Sequence, residues 1–327
     1  MFSRLTAGHI ICKLPPQNAA QQIPAHISIL EHPDQLSNRH KYPGSPNNMI
    51  PVSNVKDTGS RKYNFTVCVS PMFRSIRGNQ MVEFIEVNRV FGADHFVFYN
   101  SSADTSSSEL YFEYYAARSV LSLHPWTIPK RAQKRIHYFA QLAAINDCVY
   151  RNMFVSKYVV IVDLDEFIVP LKAQSWLDLI RSIDQGRSKC YRFQCVYFRT
   201  VWESDTAFRD NSILKQYNIT TLVKTLRETV TLPHWFRSKT IVVPEAVKVA
   251  GIHYVQNFTH ANEGVTAATN VTASEAIMFH YTPTGSTKAA GLRRKRETRM
   301  QDFAEDVMKR IERVHTSVKS REEERRK

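Results

Sequence analysis

Two aspartates and a glutamate close an unbroken apolar run. Residues 158–162 are Tyr, Val, Val, Ile and Val, and Asp163-Leu164-Asp165-Glu166 follows at once, with no basic residue between Lys157 and Lys172. Carboxylates this close repel one another unless a cation neutralises them. Oxygen ligands of this kind suit a hard divalent metal. Alternation along an extended chain puts Asp163 and Asp165 on one side, so the spacing predicts a metal-holding pair at a strand end. A bare D-x-D is a common chance match, and a solvated loop of acids is the bland alternative. One that terminates five apolar residues is much more specific.

Two phosphate-handling classes use such an arrangement. In haloacid-dehalogenase-type phosphatases the first Asp is a nucleophile within D-x-D-x-T/V near the domain start, whereas here Phe167 takes the hydroxyl position and the triplet lies mid-chain. GT-A glycosyltransferases carry the triplet after a nucleotide-binding βαβ half. The position favours the transferase, in which the metal faces the diphosphate of a nucleotide sugar and neutralises the leaving group.

The elements that must position the acids read as α/β. Residues 65–70 are β-branched and bounded by Pro71; residues 79–91 place Met81, Phe84, Ile85, Val87 and Phe91 at helical spacing before Gly92; residues 94–100 form another apolar run. A strand, helix and strand in so short a span make a βαβ unit, hence a parallel sheet with ligands at its C-terminal edge. A helix is predicted over 133–151, feeding the 158–162 run, which has the unbroken apolarity of a central parallel strand. Further on the pattern predicts a helix from Trp176 closed by Gly186, a strand over 191–198, a hairpin of 240–243 with 246–255 around Pro244, and a last strand over 276–281. The fold class is therefore α/β, a mostly parallel central sheet flanked by helices. The expected organisation is an irregular lead-in over 1–60, rich in Pro, Asn, Gln and Ser, a catalytic domain over 61–285 and a basic tail over 286–327. In that tail Met300, Phe303, Val307, Ile311 and Val314 predict an amphipathic helix that packs on the body.

Several spaced stretches resemble glycosyltransferase family 92. They are residues 136–148 leading into Asp163-Leu164-Asp165-Glu166-Phe167-Ile168, then Phe84-Ile85-Glu86 with Gly92 and Phe98-Tyr99-Asn100. Arg237-Ser238-Lys239-Thr240-Ile241-Val242 through Gly251-Ile252-His253 and the closing His280-Tyr281 complete the set. The resemblance covers roughly residues 65–285. It implies a GT-A nucleotide-diphospho-sugar transferase fold, Mn2+, UDP-galactose as donor, a glycan acceptor, and inverting transfer to a β-linkage. It also implies Golgi residence and membrane association, for which residues 1–14, broken by Arg4, His9 and Lys13, supply no anchor. Either the protein is soluble or its first exon is missing. An inactive, lectin-like glycan binder on the same fold is the alternative reading.

Expected site residues follow. Asp163 and Asp165 hold the metal, and a histidine from the end of the domain joins them, His280 first and His253 second. Gln141 and Asn146 match helix positions that touch the nucleotide in many GT-A enzymes, with Asp163 beside them. Arg237 and Lys239 carry charge suited to phosphate. Inversion needs a carboxylate to take the acceptor's proton; Glu203 and Asp205 are candidates, as is Glu228, and the sequence does not choose.

The formal charge of +14 with pI near 9.6 raises nucleic acid as a partner. No zinc knuckle, RNP-like strand or Gly-rich phosphate loop supports it, and acids at the strand end would repel a polyanion. Arg293-Arg294-Lys295-Arg296 reads first as a solvated run. The five cysteines, Cys12, Cys68, Cys148, Cys190 and Cys195, lack zinc spacing. Five sequons, at Asn64, Asn100, Asn218, Asn257 and Asn270, favour the secretory pathway. There Cys68 could pair with Cys148, or Cys190 with Cys195.

Overall fold

The computed structural model describes residues 26–27, 50–52, 59–72, 76–101, 108–133, 135–206, 211–259, 267–283 and 291–326. Most of the expected lead-in over 1–60, with Cys12, lies outside the described residues.

The βαβ unit is present as β1 (Tyr63–Val69), α1 (Gly78–Val90) and β2 (His95–Asn100), with β2 parallel to β1. After α2 (Glu109–Ala116), β3 (Leu121–Pro125) extends the sheet in parallel beyond β2. On the other side of β1 lies β4 (Ser156–Val162), parallel and in register from Tyr63 opposite Ser156 to Val69 opposite Val162. Six of its seven residues are buried, as a central strand covered on both faces requires. Its feeder helix α3 is Gln141–Arg151, shorter than the expected 133–151. Tyr138, Phe139 and Ala140 all have positive φ, a conformation that L side chains adopt at a cost and that no helix continues through. The carbonyl of Phe139 accepts from Trp126 Nε1 at 2.9 Å, which ties that kink down.

The acids turn the chain into a second sheet. β5 (Glu166–Pro170) leads to α4 (Trp176–Asp184), closed by Gln185 and Gly186 in the left-handed region. The expected strand over 191–198 divides at Gln194 into β6 (Cys190–Phe193) and β7 (Cys195–Arg199), which belong to different sheets. The short helices α5 (Ser212–Tyr217) and α6 (Thr220–Val223) precede β8 (Leu226–Glu228). β9 (Lys239–Val242) runs antiparallel between β4 and β6. The expected hairpin around Pro244 is instead a 3-10 turn, and β10 (Val247–Ala250) pairs with β11 (Val255–Phe258). β12 (Thr269–Asn270) closes the sheet of order β12-β6-β9-β4-β1-β2-β3. β13 (Ala276–Thr282) lies between β5 and β7 in the second sheet, of order β14-β8-β7-β13-β5, whose edge is β14 (Arg294–Arg296). The basic run is thus an edge strand with exposed side chains, two of which bind acids: Arg294 pairs with Glu203 and Arg296 with Asp205.

Helix α7 (Ala304–Arg326) packs on α1 and α2 through Val307, Ile311, Val314 and Val318. Phe303 meets Phe91 edge-on at 5.2 Å, anchoring the helix to the aromatic core of Phe84, Phe96 and Phe98. On the opposite face of the sheet α3 is held by the Cys68–Cys148 disulfide, while Cys190 and Cys195 are separate buried thiols. Among the described residues no helix is long and apolar enough to cross a membrane.

Candidate active site

β4 ends at Val162, and the turn of Asp163, Leu164 and Asp165 delivers three carboxylates to the place where the two sheets meet. Their environments differ. Asp163 Oδ1 accepts from Ser70 Oγ and, at 3.2 Å, from Gln141 Nε2, which also donates to Ser70 Oγ at 2.7 Å. Asp163 Oδ2 accepts from Lys239 Nζ at 2.8 Å, and the same ammonium lies 2.9 Å from Glu166 Oε2. Glu166 Oε2 in turn accepts the Asp163 N–H at 2.8 Å, which tightens the turn. Lys239 is 1% exposed.

A buried ammonium is costly unless paired. Burial pushes the Lys239 pKa down, but Asp163 and Glu166 outweigh it and raise it. For Asp163 burial acts upward, yet the Lys239 charge and the hydrogen bonds of Lys239 and Ser70 prevail and hold it at about 2. Burial dominates at Glu166 and raises its pKa, with the neighbouring Asp163 and Asp165 adding to the rise.

Asp165 is the most exposed member of the cluster, its side chain 40% exposed against 32% for Asp163, with His280 Nε2 3.4 Å from Oδ2. His280 sits on β13 opposite Glu166, and its Nδ1 is buried without a hydrogen-bond partner, 3.6 Å from Glu166 Oε1. Burial lowers the His280 pKa, but contact with Asp165 and the charge of Glu166 outweigh it, for a net rise. His253 is anchored elsewhere, Nδ1 to the Ser238 carbonyl at 3.1 Å, and burial and Lys239 depress its pKa.

Asp165 also forms part of the wall of a cavity of about 830 Å³. The start of α1, with Arg77 before it and Gly78 and Asn79 in its first turn, forms another part, and Glu83, Lys224 and Tyr281 are among the remaining lining residues. Glu83, one turn into α1, accepts the Thr221 N–H at 2.6 Å. Burial raises its pKa to about 7 against the hydrogen bonds from Thr221.

The other expected residues fall into different surroundings. Gln141 supports Asp163 from behind. Asn146 clamps α3 to β10, exchanging hydrogen bonds with the N–H and carbonyl of Ala250 at 2.8 Å each, and sends none to the acids. Arg237 is exposed on the loop before β9 with φ of 58°. Glu203 is exposed and paired with Arg294. Asp205 has a buried carboxylate bound by Arg296, Thr225 and Gln301. Glu228 is committed to Arg199 at 2.5 Å. Sequence reasoning passed over Glu83 and Ser70. The available signal for Glu83 was a carboxylate set among the apolar positions of α1, between Met81 and Phe84.

The sequence model of glycosyltransferase family 92 matches residues 63–324. The chain belongs to glycosyltransferase family 92. The matched span includes both sheets, the acid turn and nearly all of α7. Among curated relatives, the chain is 26% identical over 206 residues to the beta-1,4-galactosyltransferase galt-1 of Caenorhabditis elegans, covering 61% of this chain and 44% of that protein. It is 25% identical over 227 residues to the galactan beta-1,4-galactosyltransferase GALS3 of Arabidopsis thaliana, covering 68% of this chain and 42% of that one. The chain thus spans less than half the length of these relatives. A solved structure of GalNAc-T7 with UDP, GalNAc and Mn2+ overlaps 72% of this chain and 45% of its own, at TM-score 0.36 and 7% identity.

Proposed function

We propose that this family 92 chain is a metal-dependent, inverting galactosyltransferase of GT-A type, moving galactose from UDP-galactose to a glycan hydroxyl in the secretory pathway. The observation that carries the reading is the shared cavity: Asp165, at a sheet edge, lines one part of it, and a helix N-terminus with Arg77 lines another. The amide dipoles of α1 and the Arg77 guanidinium favour a diphosphate. The two named galactosyltransferase relatives support the sugar.

The residues fit a divalent cation. Asp165 supplies an exposed oxygen, and His280 an imidazole whose Nε2 lies 3.4 Å from it. This pair suits Mn2+, which accepts both donor types, and the bound ion would neutralise charge on the leaving diphosphate. Ser70, Gln141 and Lys239 fix Asp163, and with it the turn that presents Asp165.

For the proton, Glu83 is better placed than Glu203, Asp205 or Glu228. It borders the cavity and, among the described residues, has no ion-pair partner holding it, and with a pKa of about 7 it takes up a proton at neutral pH. The acceptor hydroxyl gives its proton to Glu83 as its oxygen bonds to the sugar's anomeric carbon. The carbon–oxygen bond to UDP breaks on the opposite face, inverting the centre. Release of UDP from a panel of UDP-hexoses, with Mn2+ or with EDTA, tests the reading. Mn2+-dependent release from UDP-galactose above the other donors is expected, and equal rates in EDTA would refute it.

A further inference from the structure

The acid turn already holds one cation, and it belongs to the chain. Lys239 is the first residue of β9, one position before Thr240, which pairs with Ile161 of β4. That register brings its side chain to the end of β4, where Nζ meets Asp163 at 2.8 Å and Glu166 at 2.9 Å. The second oxygen of Asp163 is taken by Ser70 and Gln141. Glu166 is 3% exposed and Lys239 1%. Both oxygens of Asp163, whose side chain is 32% exposed, and one of Glu166 are therefore spoken for by protein donors. Asp165, two residues on, has His280 as its one side-chain partner among the described residues and is 40% exposed.

We propose that Lys239 is a resident substitute for part of a metal's charge: it withholds Asp163 and Glu166, leaving Asp165 and His280 as the only direct protein ligands among the described residues. Two protein ligands leave most of a divalent cation's shell to other oxygens. The cation is then held firmly only with a nucleoside diphosphate, so metal and nucleotide enter as one complex. This last step rests on the function proposed above; the division of labour between the two aspartates does not.

Mn2+ binding to the full chain, read by electron paramagnetic resonance with and without UDP, tests both parts. UDP should tighten Mn2+ binding by about tenfold or more, and Asp165→Asn should lose about tenfold or more of the Mn2+ affinity of the UDP complex, while Asp163→Asn changes it by less than about threefold. Lys239→Met should raise nucleotide-free Mn2+ affinity by about tenfold, because two carboxylates become available, and Lys239→Arg should not. Equal losses in the two asparagine variants would overturn the assignment, as would a folded Lys239→Met chain that binds Mn2+ no better than the parent. Should Lys239→Met fold poorly, the asparagine pair decides alone. If UDP does not bind, while nucleotide-free Mn2+ affinity still falls in Asp165→Asn and not in Asp163→Asn, the functional reading fails and the role of Lys239 stands.

Discussion

His280 Nε2 stands 3.4 Å from Asp165 Oδ2, and the N–H of Tyr281 donates to the Asp165 carbonyl at 2.9 Å. The strand that carries the histidine thus also grips the backbone of the aspartate, so one strand positions both groups. Removal of the imidazole leaves the Asp165 backbone in place. His280→Ala should raise the Mn2+ concentration needed for half-maximal turnover by about tenfold to a hundredfold, with much less change in the KM for acceptor. An unchanged Mn2+ requirement would remove His280 from the metal site.

Glu83 makes a pH-dependent prediction of defined sign. Its folded pKa is raised from 4.5 to about 7, so the folded state binds a proton more tightly than the unfolded one. Stability from this group is greatest below pH 4.5 and falls as pH rises to about 7. Urea denaturation of parent and Glu83→Gln across this window should show the parent losing about 3 kcal/mol more than the variant. Arg77 and Lys224, both cationic, and Asp165 and Tyr281 face the same cavity. The kcat/KM of the parent should rise through pH 7 and that of Glu83→Gln should not. A variant that keeps both the rate and the limb would assign the proton to another group.

The Cys68–Cys148 disulfide joins β1, which leads to Ser70, to α3, which begins with Gln141, across a separation of 80 residues. Reduction, or Cys148→Ser, should lower unfolding stability by about 2–5 kcal/mol. Intact thermal stability in reducing buffer would show that the cross-link constrains little.

How much of this was legible in the sequence depends on how local each signal is. The strand–acid junction at Asp163 was readable because a run buried on both faces has no polar alternation and its end is marked by charge. The switch at Gln194 was not, since Cys190 to Arg199 is continuously apolar enough to read as one strand while its halves serve two sheets. The start of α3 was misplaced because the residues of 138–140 have ordinary helix propensity, whereas their backbone is left-handed and its Phe139 carbonyl is bound by the Trp126 side chain. Lys239 was noted for its charge and assigned outward to phosphate, whereas the register of β9 on β4 turns it inward. Glu83 was hidden because its significance lies in the cavity formed with Asp165 and the 218–224 segment, far away in sequence.

Helix α7 contributes to the body rather than trailing from it. Ile311 is 1% exposed, so Ile311→Ala should cost about 2–5 kcal/mol of stability by denaturant titration. Its loss should leave KM values of the folded enzyme unchanged. A cost below about 0.5 kcal/mol, typical of surface substitutions, would mean the helix is only loosely docked.

The product itself tests the central claim most directly. The full chain, incubated with UDP-galactose, a galactose-terminated glycan and Mn2+, should yield a β-linked galactoside by proton NMR. EDTA should abolish the product, and Asp165→Asn should reduce its rate by about a hundredfold or more. An α-linked product, or transfer undiminished in EDTA and in Asp165→Asn, would contradict the account.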